Sequence, residues 1–214
     1  MAPMLRSTAM FTALAGILVL GCKSEIDNKP AAKVEDAKPE AKPEAKPEAA
    51  AATTYKVDVA ASSIGWVGAK ITGDHSGNFA AFSGEASVAD GKPVSVRFTV
   101  DTTSVTSDAE KLTEHLKSAD FFDVEKFPSA SFTSSSIVEK AGEGVTHEVS
   151  GELELHGVKK SITFPAKITI ESTGAVGEAQ FTINRKDFGI VYAGKPDDLI
   201  KDEVLLKLNL RFAA

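Results

Sequence analysis

Residues 93–101 read Pro-Val-Ser-Val-Arg-Phe-Thr-Val-Asp and alternate strictly between apolar and polar side chains. On an extended chain, one face of this segment carries the apolar side chains of Val94, Val96, Phe98 and Val100. Period-two alternation of this kind is typical of a β-strand with one buried and one solvated face. Residues 93–101 therefore predict a strand, and the same pattern recurs on both sides of it.

Three further segments alternate as clearly, namely Val145–Leu155, Ile162–Ile170 and Val204–Phe212, and weaker alternation occurs around 64–66, 79–87, 130–138 and 179–183. Residues typical of turns separate them at 89–91, 141–144, 156–157 and 172–174. About eight short strands in sequence must either stack as two sheets or close into one barrel. Closure removes exposed edges, so we expect an all-β fold in which a closed barrel is one of these two arrangements.

One helical excursion interrupts the predicted strands at about residues 107–123. Its helix spans 107–117, with Ser107 or Asp108 as the N-cap and with Leu112 and Leu116 on one face. A second short turn begins at Ser118. Residues 115–132, which overlap this excursion, contain four of the twelve phenylalanines in an otherwise polar stretch. Because such rings need a buried place, we expect the excursion to cap one end of the barrel.

The segment His-Leu-Lys-Ser-Ala-Asp-Phe-Phe-Asp at 115–123, followed by Lys-Phe-Pro at 126–128, closely resembles the signature stretch of the YceI-like proteins. Further stretches similar to that family occur in order along the chain at 55–58, 63–66, 75–79, 82–84, 149–153, 155–159 and 183–190. The last of them contains Arg-Lys-Asp-Phe-Gly at 185–189. The family comprises periplasmic, lipocalin-like barrels associated with binding polyisoprenoid lipids. The resemblance implies an extended eight-stranded antiparallel, lipocalin-like barrel over 55–214. It also implies that this barrel sequesters or transports a long hydrophobic, polyisoprenoid-type lipid non-covalently in its lumen.

The resemblance supplies no residue-by-residue ligand set, so the candidate ligand-binding residues are our own hypothesis. They are the aromatic side chains Trp66, Phe79, Phe82, Phe98, Phe121, Phe122, Phe132, Phe164, Phe181 and Phe188. An eight-stranded barrel is just wide enough to be filled by side chains or to hold one slender ligand. Both readings stay open at this point. Lys70, His75 and Tyr192 are candidates for a polar rim.

Catalytic and metal-binding motifs are not apparent in this chain. The four histidines, at 75, 115, 147 and 156, lack the spacing of zinc ligands, and no nucleophile elbow, phosphate loop or dinucleotide fingerprint occurs. We therefore expect no enzymatic activity, no metal, and no cofactor apart from the isoprenoid lipid that the resemblance implies. A formal net charge of −6 argues against nucleic acid as a partner.

Two alternatives to a lipid carrier stay open, and so does the oligomeric state. A filled barrel would suit an envelope interaction or stress protein without a small-molecule ligand. An enzyme on the same scaffold would need a cluster of polar groups converging inside the pocket, for instance around His75, His115 or His156.

The amino terminus has the features of a bacterial lipoprotein signal. Arg6 precedes an apolar run over 9–20 that is too short to span a bilayer, and Val-Leu-Gly-Cys follows at 19–22. We expect 1–21 to be a lipoprotein signal peptide and Cys22 to be the acylated membrane anchor. The alternative is an ordinary signal peptide with an incidental cysteine. Lys23 and Ser24 favour the outer membrane, facing the periplasm, under the sorting pattern of well-studied Gram-negative bacteria.

Residues 22–54 combine the lipid-attachment cysteine with Ala-Lys-Pro-Glu repeats and almost no large apolar side chain. Such a composition predicts a disordered linker. Its reach would lie between roughly 30 Å as a flexible coil and about 100 Å in the extended polyproline form. The folded domain is then expected over 55–214.

Overall fold

The computed structural model describes residues 24–37 and 52–214, so the expected signal peptide and Cys22 lie outside the described residues. Among the residues described, no helix combines the length and apolarity needed to cross a bilayer. One α-helix occurs in this part of the chain, α1 (Glu110–Lys117). The strands are β1 (Lys33–Asp36), β2 (Thr53–Val57), β3 (Ser63–Lys70), β4 (Gly73–Phe79), β5 (Phe82–Ala89), β6 (Lys92–Asp101), β7 (Val105–Ser107), β8 (Ser129–Gly142), β9 (Val145–Leu155), β10 (Val158–Glu171), β11 (Gly174–Asn184), β12 (Gly194–Lys195) and β13 (Asp198–Ala213).

The predicted eight-stranded antiparallel barrel is confirmed. Three wall strands are bent, so that each consists of two short strands: β2 with β3, β4 with β5, and β6 with β7. These three and β8, β9, β10, β11 and β13 form the wall, which closes because β11 pairs with both β10 and β13. The period-two alternation holds across the wall, since Trp66 of β3 lies opposite Leu206 of β13 and both line the interior.

The barrel has two unlike ends. The upper end carries the β3–β4 turn, the β9–β10 turn and the start of β13, and the lower end carries the β5–β6, β8–β9 and β10–β11 turns. Helix α1 and residues 118–128 cover part of the upper end, as the sequence predicts. Leu116 and Phe121 of this cover are buried and line the cavity below it. The predicted N-cap is wrong: the cap position is Ala109, and it makes no side-chain cap. The Ser107 hydroxyl instead donates a hydrogen bond to the carbonyl of Ala109 and accepts one from its amide.

The expectation of a disordered linker throughout 22–54 is wrong over residues 24–37. The ladder between β10 and β11 ends at Lys167, two residues beyond Pro165, which has no N–H to donate. Strand β1 pairs with the free upper part of β10, with Val34 opposite Ile162. Residues 30–32 bond to the β11 side, where the Ala32 amide donates to the carbonyl of Thr182 at 2.8 Å. This amino-terminal segment therefore fills a gap in the upper barrel wall, while 38–51 lie outside the described residues.

The segment is held by one buried side chain and several ion pairs. Ile26 packs on the outer face of the barrel against Val67, Ala69 and Leu205. Asp27 pairs with Lys201 and Glu25 with Lys207, each at 2.6 Å. Composition correctly indicates that 24–37 has no core of its own. It does not reveal that the barrel offers an apolar patch and a free strand edge to receive it.

Candidate ligand-binding cavity

The upper half of the barrel encloses a cavity of about 360 Å³. Its wall is mainly apolar and combines aromatic side chains such as Trp66 with aliphatic ones such as Leu206. The volume lies near the lower end of the range typical of small-molecule pockets. Because this space exists, the alternative of a barrel filled solidly from end to end is wrong.

Glycine at position 77 makes room for the indole of Trp66, which it faces across the β3–β4 ladder. A Cβ on Gly77 would lie 2.8 Å from the Trp66 ring and 1.8 Å from the carbonyl oxygen of Thr106. The indole Nε1 donates a hydrogen bond to that same oxygen at 3.2 Å. The close approach of β7 to β4 thus fixes the orientation of the only tryptophan of the chain.

A cluster of four side chains, Phe98, Phe132, Phe164 and Leu208, separates the main cavity from a second chamber of about 70 Å³ in the lower half and lines both. We call this cluster the partition. The ring of Phe132 lies 5.4 Å from that of Phe98 and 5.6 Å from that of Phe164, measured between centroids. Gly151 allows this packing, because a Cβ there would lie 2.5 Å from the Phe132 ring. The lumen is therefore two chambers rather than one open tunnel.

Polar groups gather where the main cavity reaches the upper surface, which we call the mouth. The ammonium of Lys70 donates to the carboxylate of Asp198 at 2.7 Å, and Thr72 donates to it through its amide and its hydroxyl. The hydrogen bond from Lys70 lowers the pKa of Asp198. Lys195 also lines the mouth, is exposed, and makes no ion pair with any described residue. Lys70, His75 and Tyr192, the predicted rim candidates, all line the main cavity.

Two histidines that line this end of the cavity, His75 and His115, are paired with carboxylates. His75 Nδ1 lies 2.9 Å from Asp108, and His115 Nε2 lies 2.8 Å from Asp120. The His115 ring also packs edge-on against Tyr192, with centroids 5.1 Å apart. No group of three or more potential metal-ligating side chains occurs among residues 24–37 and 52–214. The two hydrogen bonds orient these imidazoles at the cavity wall.

Arg185 is the one buried charged residue in the described part of the chain, with 4% of its surface exposed. It donates from Nη1 to the carbonyl of Ile190 at 2.7 Å and from Nε to that of Lys201 at 3.1 Å. Burial lowers its pKa, and the neighbouring carboxylate of Asp202 opposes that shift. Arg185 thus ties the loop that carries Tyr192 to the start of β13, and both form part of the cavity wall.

The structure places eight of the ten predicted aromatic residues on the wall of the main cavity: Trp66, Phe79, Phe98, Phe121, Phe122, Phe132, Phe164 and Phe181. Phe82 and Phe188 do not line it. Phe82 packs beside one core cluster of the barrel, and Phe188 is fully buried in another. Ligand contact by the other eight stays a prediction, and Cys22 lies outside the described residues.

The ligand-binding residues predicted from the sequence are all aromatic, so the prediction omits the aliphatic part of the cavity wall. That part includes Leu112, Leu155, Ile190, Ile200, Val204, Leu206 and Leu208. A signal was present for β13, because the alternation over 204–212 places Val204, Leu206 and Leu208 on one face. No comparable signal marks Ile190, since its position depends on the loop that Arg185 holds.

Known proteins resemble this chain in sequence and in architecture. A UPF0312 protein of Pseudomonas putida F1 is 38% identical over 122 residues, which are 53% of this chain and 62% of the relative. Protein YceI of Escherichia coli O17:K52:H18 is 36% identical over 122 residues, with the same coverage of 53% and 62%. The chain thus spans about three fifths of the length of these curated relatives, 62% in both cases.

Two solved structures have the same fold over nearly their whole length. BcnA of Burkholderia cenocepacia superposes with a TM-score of 0.63 at 25% identity, covering 72% of this chain and 98% of that one. A polyisoprenoid binding domain from Saccharophagus degradans, implicated in plant cell wall breakdown, superposes with a TM-score of 0.59 at 18% identity, covering 75% and 98%. The second likeness is one of fold alone. Residues 55–212 match the model of the YceI-like domain, and the chain therefore belongs to the YceI-like family.

Proposed function

We propose that this protein binds and carries a slender hydrophobic lipid of the polyisoprenoid class in the main cavity, without catalysis, as an envelope lipoprotein anchored through acylated Cys22. The observation that supports it most is the mainly apolar cavity of about 360 Å³, with the charged side chains of Lys70, Lys195 and Asp198 at its mouth. Burial of apolar surface supplies the driving force, at about 25 cal/mol per Å². The loss of freedom of a flexible chain opposes it.

The partition sets how the lipid is held. A chain entering at the mouth meets Phe98, Phe132 and Phe164 before it reaches the lower chamber. A lipid longer than the main cavity either displaces these rings or leaves its remaining length outside the mouth. The family resemblance and the polyisoprenoid binding domain with the same fold support this choice of ligand class.

Purification of the protein from its own membrane, followed by extraction and mass spectrometry of bound lipids, tests the proposal directly. A ligand present at 100 times its Kd stabilises the folded state by about 2.7 kcal/mol, so added prenyl lipids should raise the Tm by several degrees. A protein that is always isolated empty and whose Tm ignores prenyl lipids would leave the carrier function without support.

A matched pair of substitutions on β8 separates cavity binding from surface effects. Ala130→Phe adds a ring to the cavity wall, whereas Thr133→Phe adds the same ring on the exposed outer face. We expect the first to abolish the Tm increase caused by prenyl lipids and the second to retain it. Equal loss in both variants, or in neither, contradicts binding in this cavity.

A further inference from the structure

Three exposed apolar side chains surround the mouth of the main cavity. The exposed fractions are 70% for Ile71, 64% for Val191 and 47% for Leu199. Each is the sequence neighbour of a residue that lines the cavity, such as Lys70 for Ile71 and Ile200 for Leu199. The Ile71 amide donates to the carbonyl of Leu199 at 3.2 Å, so two of the three lie side by side. We call these three residues the apolar rim.

The clustering of these side chains at one place is the first observation. Only two other large hydrophobic residues of the described chain are exposed, Val59 and Val138, and neither lies at the mouth. Val138 belongs to the half of β8 that leads to the lower end. A group of exposed apolar side chains around one opening is typical of a surface that meets a partner or a membrane.

The position of the amino-terminal segment is the second, independent observation. The Ser24 hydroxyl donates to the carboxylate of Asp74 at 2.8 Å, immediately after the turn that carries Ile71. Burial of Ile26 and the pair of Asp27 with Lys201 fix the next residues to the wall beside the mouth. Cys22 precedes Ser24 by two residues. Two residues span at most about 7 Å, so acyl chains on Cys22 would be attached within that distance of Ser24.

We infer that the apolar rim docks into the lipid bilayer and presents the mouth of the cavity to the membrane surface. The inference rests on the acylation of Cys22 that is part of the proposed function. Acyl chains on Cys22 would hold the barrel close to the bilayer by its upper end, rather than at the end of a linker that reaches tens of ångströms. A hydrophobic ligand then enters the cavity without crossing water, and any length left outside the mouth stays in the bilayer.

The charges near the mouth indicate that docking is apolar rather than electrostatic. Lys70 is paired with Asp198 and Lys201 with Asp27. Lys195, which has no ion-pair partner among the described residues, has the acidic Asp197 two positions away. This balance offers no cationic surface for anionic lipid. Docking should therefore be equally deep in zwitterionic phosphatidylcholine vesicles and in vesicles that also contain phosphatidylglycerol, and added salt should not weaken it.

Spin labels on single introduced cysteines test the inference in the full-length lipoprotein reconstituted into phosphatidylcholine vesicles. Acylation of Cys22 leaves the introduced thiol as the only free one. Ile71→Cys and Leu199→Cys report on the rim, and Val138→Cys, also exposed and apolar, is the matched control. We expect the two rim labels to be accessible to oxygen and shielded from a water-soluble nickel reagent. The control label should show the opposite.

Three results would overturn docking: rim labels as exposed to nickel as the control label, all three labels shielded alike, or a mature protein recovered in the aqueous phase of a detergent partition. Failure of the carrier function is distinguishable, because it is read from extracted lipids and the Tm. Embedded rim labels on a protein that never contains lipid would support docking and contradict the carrier function.

Discussion

Phe132 is the residue on which the division of the lumen depends most directly. It is 1% exposed and packs between Phe98 and Phe164, and it lines both chambers. Truncation of a fully buried phenylalanine to alanine costs about 3–5 kcal/mol, through lost burial and the space left behind. We expect Phe132→Ala to lower the free energy of unfolding by this amount. It should also connect the cavities of about 360 and 70 Å³.

Urea unfolding followed by circular dichroism measures the loss of stability, and native mass spectrometry with a series of prenols measures the ligand length that is accepted. The variant should accept longer prenols than the unmodified protein. Thr133→Ala, an exposed neighbour on the same strand, is the control and should change neither quantity. A domain of this size has about 5–15 kcal/mol of stability, so Phe132→Leu provides a milder variant if the first does not fold.

The reasoning is refuted if Phe132→Ala costs less than about 1 kcal/mol, far below the range for a buried phenylalanine. It is also refuted if the folded variants bind the same prenol lengths as the unmodified protein. The first result would mean that neighbouring side chains fill the space left by the Phe132 ring with little loss of stability. The second would mean that the partition does not limit the depth of entry.

Three further predictions concern the amino-terminal segment, the wall and the mouth. Ile26→Asp places a charge on an apolar patch and should release the segment, seen as rapid amide exchange over 24–37 that the exposed Asn28→Asp does not cause. Gly77→Ala forces a Cβ to within 1.8 Å of the Thr106 carbonyl oxygen, so we expect a shifted tryptophan emission and a lower Tm; an unchanged spectrum would contradict the packing. The hydrogen bond from Lys70 lowers the pKa of Asp198 in the folded protein. The Asp198 carboxylate therefore stabilises the fold fully at pH values above its unfolded-state pKa of about 4, and this stabilisation is lost as the pH falls through its folded-state pKa. The protection factor of the Thr72 amide, which is its exchange rate relative to the intrinsic rate at the same pH, should therefore fall in acid. A protection factor that is unchanged between pH 6 and pH 2.5 would argue against this pair.

The amino-terminal segment shows where local sequence is an incomplete guide. Residues 24–37 have the charged, proline-containing composition of a linker, and Ile26 is an isolated large apolar side chain within them. Its burial depends on Val67 and Leu205, which are far away in sequence and meet only because β3 and β13 pair. The gap that receives β1 exists only because β10 and β11 diverge above Lys167. Both the apolar patch and the gap are formed by other parts of the chain, so the sequence of 24–37 does not reveal them.

The sequence by itself determined the strands, the helical excursion and most of the aromatic wall, and its family resemblance implied the antiparallel barrel. It did so because period-two alternation depends on neighbouring residues alone, and because a strand with one apolar face must bury that face. Only the tertiary structure decided that the lumen is divided at Phe132 and that residues 24–27 pack beside the mouth. Empty space and docking surfaces arise from side chains that converge from distant strands, and their fit is a property of the closed barrel rather than of any one segment.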